Sequence, residues 1–193
     1  MQDDSSSNID FSDPAVIARY EPYLRMLARS QARRAYQAKI GASDMVQQVM
    51  LQAVQGFDNF RGRSEGELRA WLRQILANHL CHLDRDMHRD KRDVSREHSM
   101  QQAIDQSSMR LEQFLAGDAG TPSQHVAISE HVLILAAAIE RLPETQRDAI
   151  RLHYLDGLKL AEVAERMSKS TGAIAGLLHR GMKQLKRELA DEY

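Results

Sequence analysis

The stretch LKLAEVAERMSKSTGAIAGLLHRGMKQLKREL, residues 158–189, decides how this chain is read. Its apolar residues recur at steps of three and four, stop at Ser168, Lys169 and Ser170, and then resume. Two helices joined by a tight turn are therefore expected within residues 160–179. A helix-turn-helix crosses two short helices steeply and needs a small residue at the crossing. Ala164 supplies it, with Leu160, Val163 and Met167 around it and Ile174, Leu177 and Leu178 facing it from the second helix. Ser170 or Thr171 can cap that helix. The outward positions are then Lys169, Ser170, Thr171, Gly172, Ala173, Gly176, His179, Arg180 and Lys183. Small residues lead and cations follow, which suits contact first with base edges and then with phosphates. Ser168 stands where such a turn favours glycine, and Lys159 where a Ser or Thr cap is expected, each at a cost of about 1 kcal/mol. Taken alone, the same residues also describe a helical hairpin with a solvated basic face.

Period 3.6 recurs through the rest of the chain and period two does not, so the fold class is all-α. A first helix is expected over residues 14–37, led by Pro14 and broken at Gly41. Ser43 is the expected N-cap of a second, with Met45, Val46, Val49, Met50, Ala53, Val54 and Phe57 as its apolar stripe. Residues 58–64 read as a loop. A third helix comes next, its apolar face built on Leu68, Trp71, Leu72, Ile75, Leu76, His79, Leu80, Leu83 and Met87, its other face on Arg69, Arg73, His82, Arg85 and Arg89. Residues 90–124 turn polar and rich in Gln and Ser, the composition of a linker of limited order. Helices are expected again over 129–141 and 144–154, meeting at Leu142 and Pro143. The expected organisation is two small helical domains, 14–92 and 129–189, joined by a flexible linker, 93–128, behind a disordered acidic N-terminus, 1–13.

The net charge of −1 hides a segregation: −4 over residues 1–13, +5 over 14–98, −2 over 99–128, −2 over 129–167 and +2 over the tail. Two basic zones separated by an acidic middle can grip a polyanion at two places. The longest apolar run, residues 132–139, is far short of the ~20 residues that cross a bilayer. The acidic start does not resemble a signal peptide, and a single cysteine, Cys81, fits a reducing compartment. No membrane insertion and a cytoplasmic location are expected. His79, Cys81, His82 and His88 are the only metal-ligand candidates at close spacing, but His79 belongs to an apolar stripe and no second ligand pair is present. No nucleophile with a matched base and no phosphate-binding glycine loop is present, so no catalytic residue, metal or cofactor is assigned.

The front half adds DMVQQVMLQAVQGFDNFRG, residues 44–62, followed by LRAWLRQILANHL, residues 68–80. This pair resembles the core of a bacterial sigma factor of the extracytoplasmic-function (ECF) type, in the sigma-70 family. Residues 139–189, from IERLPETQ through LLHRG to KREL, are similar to the C-terminal promoter-binding domain of the same family. The resemblance implies a factor that binds core RNA polymerase, directs it to promoter DNA and helps melt the duplex. It makes residues 14–92 the region 2 domain and residues 129–189 the region 4 domain. Asp44, Met45, Val46, Gln47 and Gln48 are the implied core-polymerase contacts. Phe60, Arg61, Arg63, Ser64, Arg69, Arg73, Asn78, Arg85 and Arg89 are implied at the minus-ten element, and the outward residues of the helix-turn-helix at the minus-thirty-five element. The spacing between FRG and Trp71 is longer than usual, which leaves open which side chain holds a flipped base; Trp71 itself reads better as core than as a wedge. Ala175 stands where the family often has lysine. Members of this size are commonly held inactive by an anti-sigma factor, which joins the implied partners. The alternative reading is a stand-alone helix-turn-helix regulator.

Overall fold

The computed structural model describes residues 11, 13–31, 41–88, 94–116 and 125–191; the acidic start, residues 32–37 at the end of the first expected helix, Arg89 and the segment 117–124 lie outside the described residues. Among the described residues there is no strand, and the fold is all-α.

The first expected helix is two. Helix α1, Pro14–Ala18, is capped by Asp13, whose carboxylate accepts from the Ala15 N–H at 2.8 Å. Helix α2 spans Glu21–Gln31. Pro22 explains the break, because it has no N–H to offer the carbonyl of residue 18 and its ring crowds that carbonyl. Helix α3, Ala42–Gln55, starts earlier than expected: Gly41 is its N-cap and gives no side-chain bond, and Ser43 lies inside the first turn. A 3₁₀ turn, Phe57–Asn59, leads to the long helix α4, Glu65–His88. Ser64 caps α4 reciprocally: its hydroxyl takes the Glu67 N–H at 3.3 Å, while Glu67 Oε2 takes the N–H groups of Ser64 at 3.1 Å and Arg63 at 2.6 Å.

The stretch expected as a linker of limited order contains a 23-residue helix, α5, Val94–Ala116. Its inward positions carry the helical period, yet two of them are Ser107 and Ser108, each 2% exposed, so hydropathy did not reveal it. The serines are tolerated because both are hydrogen-bonded, Ser108 to the Tyr23 hydroxyl at 2.8 Å and Ser107 to Gln31 Nε2 at 3.0 Å. Helix α6, His125–Arg141, begins earlier than the expected residue 129. Helix α7, Glu144–Ile150, runs into a single π-helical turn, Arg151–Leu155. Helices α8, Leu160–Arg166, and α9, Thr171–Asp191, complete the chain.

Helix α2 is the hub. Its Tyr23, Leu24 and Leu27 are buried, as are Met45, Val46 and Val49 of α3 and Leu68, Leu72 and Leu76 of α4. The C-terminal core gathers Val132, Leu135 and Ile139 of α6, Ile150 of α7, Val163 of α8 and Ile174, Leu178 and Leu185 of α9. The two cores are continuous, because α2 packs on α6 and α5 packs on α4, α2, α6 and the π-helical turn. Burying side chains of this size is worth about 1.5–3 kcal/mol each before the entropy of ordering them, so this shared core is the main force that holds the outward faces of α3, α4 and α9 in place.

Candidate nucleic-acid interface

At the C-terminal end, the turn between α8 and α9 closes as a Schellman motif. The Lys169 N–H reaches the Ala164 carbonyl at 2.9 Å, the Ser168 N–H reaches that of Glu165 at 3.1 Å, and Ser168 adopts φ +54°. A serine thus occupies the left-handed position expected from the sequence. At the start of α8, lysine offers no acceptor to the helix, but Glu162 Oε2 takes the Lys159 N–H at 2.6 Å, so half of a capping box is kept. Ser170, rather than Thr171, caps α9, accepting from the Ala173 N–H at 3.2 Å. Ala164 is 5% exposed at the crossing, with Val163 and Ile174 fully buried beside it.

This packing turns Lys169, Ser170, Thr171, Gly172, Ala173, His179, Arg180 and Lys183 to solvent, with Gly176 half-buried beneath the Arg180 guanidinium. Ala175, Lys186 and Arg187 are exposed too. No ion pair among the described residues engages Lys169, Arg180 or Lys183, so their charge is available to a ligand. A residue that the sequence reading passed over sets the seat of this helix. Gly181 is buried where α9 meets α7, and a Cβ there would lie 2.7 Å from Ile150 Cδ1. Its only signal was a glycine inside a helical pattern.

In the front half, the FRG loop is built on an aromatic cluster. Phe60 stacks tilted against Trp71 at 5.2 Å and Phe57 at 5.5 Å, and Trp71 meets Phe57 edge-on at 6.0 Å. Phe60 is therefore an anchor of the loop, and Trp71 is a half-buried core residue. Gly62 is required by close approach, since a Cβ would sit 2.4 Å from the Phe60 ring. Arg61 donates to the Asp58 carbonyl at 2.8 Å while remaining exposed, and Arg63 and Ser64 are exposed too. Glu67, which fastens this loop, has its pKa lowered by the Arg63 N–H first and the Ser64 hydroxyl second. On α4, Asn78 is bonded to Gln74 at 3.1 Å; Ala70, Gln74, Asn78 and His82 form one row at four-residue steps on the side away from the apolar stripe. Gln74 belongs to that row and was missed, although its spacing to Asn78 was the available sign.

The arginines expected to grip DNA along α4 do not face open solvent. Arg69 meets Glu112 at 3.7 Å, Arg73 meets Asp105 at 2.6 Å and Arg85 meets Glu97 at 3.6 Å. Partners rise along α4 as they fall along α5, so the two helices run antiparallel with an arginine row against a carboxylate row. Arg73 also donates to the Tyr23 hydroxyl at 3.1 Å. Tyr23 in turn donates to Ser108, which donates to Glu112 at 3.5 Å, a consistent relay across α2, α4 and α5.

On α3, Asp44, Gln47 and Gln48 are on the surface, while Met45 and Val46 are completely buried and are core residues rather than contacts. The same face continues into Leu51, 49% exposed, and Val54, 42% exposed, although Val54 was expected in the buried stripe. A carboxylate, two amides and two bare aliphatic side chains on one helix face have the composition of a protein-docking patch. The pKa of His79 is lowered, by burial and then by His82. Among the described residues no three His, Cys, Asp or Glu come together as a metal would need, and no helix is long and apolar enough to cross a membrane.

The family model described as "Sigma-70, region 4" matches residues 133–185, which span most of α6 through the larger part of α9. The chain is 30% identical over 178 residues to the ECF RNA polymerase sigma factor SigG of Mycobacterium tuberculosis, covering 87% of this chain and 47% of that protein. It is 25% identical to SigD of Mycobacterium bovis, covering 90% and 75%, and 25% identical to SigW of Bacillus subtilis, covering 78% and 76%. The chain thus spans about half the length of the first of these relatives.

Proposed function

We propose that the chain is a sigma factor of the ECF type, an initiation factor which recruits core RNA polymerase to promoters; the region 4 match and the similarity to sigma factors over most of the chain support this reading. In this reading residues 14–92 act as region 2 and residues 129–189 as region 4. The observation that carries it is the open, capped, unpaired basic face at the start of α9, inside the segment matched by the region 4 family. Lys169 through Ala173 approach the bases of the upstream element and Arg180 and Lys183 meet its phosphates. Ala175 offers no charge there, so element preference in this chain leans on Arg180 and Lys183. Asp44, Gln47, Gln48, Leu51 and Val54 dock on polymerase, with the aliphatic pair burying area and the carboxylate pairing with a cation. The FRG loop, through Arg61, Arg63 and Ser64, and the Gln74 and Asn78 row meet the downstream element. The chemistry of RNA synthesis belongs to the polymerase. The protein works where core polymerase and chromosome are, in the cytoplasm, and an anti-sigma factor is a fitting partner.

The relatives that match both halves of the chain carry the sigma factor name, which favours this reading over a stand-alone regulator. The test is initiation. Purified chain added to core polymerase should give specific transcript starts, and the chain should co-elute with core at low salt. Combining Asp44→Ala with Leu51→Ala should weaken that co-elution about tenfold or more while leaving DNA binding by α9 unchanged. Absence of co-elution by the unaltered chain overturns the proposal.

A further inference from the structure

We infer that α5 is a built-in competitor for the basic flank of α4: its carboxylate row occupies, in the free chain, the arginines that would otherwise hold the phosphates of DNA. The inference rests on the promoter-binding reading and adds to it a regulated state of the region 2 surface.

Three observations carry it. The first is register: Glu97, Asp105 and Glu112 each face an arginine of α4, so the acidic spacing on one helix matches the basic spacing on the other over about four turns. A second is the nature of the seam. The fully buried apolar side chains of α5 are Ile104 and Leu111, and between them the helix buries Ser107 and Ser108 and is tied by Arg73–Asp105, Tyr23–Ser108 and Gln31–Ser107. A seam in which ion pairs and hydroxyls stand among a few apolar contacts can exchange those polar partners for water or phosphate, which an all-apolar seam cannot do. The third is that the clasp satisfies Arg69 poorly. This residue is 8% exposed, its Nε and Nη1 are buried without a hydrogen-bond acceptor, and its nearest carboxylate stands at 3.7 Å. Phosphate oxygens, which bind a guanidinium in bidentate fashion, would supply what Glu112 does not.

The same helix reaches the other half of the molecule, where Arg110 donates to the Leu155 carbonyl at 2.9 Å and Phe114 packs edge-on against Tyr154 at 4.9 Å. Release of α5 from α4 is thereby coupled to the seat of the C-terminal half. The face of α9 carries no such cover among the described residues, so the free chain presents its upstream grip and withholds its arginine flank.

The test uses the full chain with Asp105→Asn and Glu112→Gln, and a control of equal charge change, Glu144→Gln with Glu165→Gln, two exposed carboxylates outside α5 that join no ion pair among the described residues. The probe is a labelled 20-nucleotide oligothymidylate, read by anisotropy across a salt series, with hydrogen exchange of residues 94–116 followed in parallel. The clasp variant should bind about tenfold more tightly than the parent at low salt, with a steeper salt slope as two arginines become free, and α5 should exchange faster. The control should gain about twofold at most. An equal gain in both variants would show a mere net-charge effect and overturn the proposal, as would faster exchange of α5 with no gain in binding. Arg73→Gln placed on the clasp variant should remove most of its gain; a gain that survives it would also overturn the proposal. Co-elution of the parent chain with core polymerase decides the sigma reading separately, so failure of one is not failure of the other.

Discussion

Two basic helices, α9 and α4, use their cations in opposite ways. On α9, Arg180 and Lys183 project from an exposed face with no carboxylate paired to them among the described residues. On α4, Arg69 and Arg73 are largely buried and face acids of a neighbouring helix. The difference lies in the path the chain takes around each helix. After α8 the Schellman turn throws α9 outward, with its apolar side on α6, α7 and α8 and its other side open. After α4 the chain turns back, and α5 lies along the very flank that the arginines occupy. Charge on a helix is therefore left open to solvent in one case and used as a structural fastener in the other.

The sharpest way to break this comparison is to remove charge from each side. Arg180→Ala with Lys183→Ala should weaken binding of the full chain to duplex DNA about a hundredfold at low salt and reduce the salt slope by about 2, with no change in melting temperature. Arg73→Ala should do the reverse. It breaks the Asp105 pair and the Tyr23 bond inside a half-buried site, and a stability loss of about 2 kcal/mol, seen in urea unfolding, is expected with little change in duplex binding. If both sets of substitutions affected DNA equally, the contrast between the helices would be false.

Gly181→Ala tests whether α9 owes its position to close packing on α7. The added methyl meets Ile150 Cδ1 at 2.7 Å, and a loss of about 1.5 kcal/mol is expected, read as a lowered unfolding midpoint. Ser168→Gly has the smallest effect and the opposite sign. It relieves the left-handed backbone at φ +54°, a cost of about 1–2 kcal/mol for an L-residue, against the added chain entropy of glycine, for a net gain of about 0.5–1 kcal/mol. Affinity for DNA should stay as it was, because Ser168 precedes the recognition surface.

The helix-turn-helix was legible because everything that defines it is local. The apolar period of α8 and α9, the left-handed position at Ser168, the cap at Ser170 and the outward cations are set by residues within a few positions of one another. The front half was legible in outline only. Pro22 divided a helix that the period alone had made continuous, and Gly41 took the capping place assigned to Ser43. Phe60 and Trp71 were recognised as important residues, but their mutual stacking, which makes Phe60 a loop anchor, joins positions across a turn whose shape Gly62 fixes.

By itself, then, the sequence determined an all-helical chain, a capped helix-turn-helix with outward cations, and a helix with Asp44 in its first turn. Only the tertiary structure decided that α5 exists as a packed helix and that Arg69, Arg73 and Arg85 are held by it. The physical reason is distance along the chain. Helical period, caps and turns come from interactions over three or four residues, and these leave a readable pattern. Whether an arginine faces water or a carboxylate depends on a partner 32 residues away, as for Arg73 and Asp105, and burial of Ser108 depends on a tyrosine 85 residues away. Contacts of that range leave no period in the sequence, and two buried serines, satisfied by hydroxyl and amide partners from another helix, conceal a core helix as a polar linker.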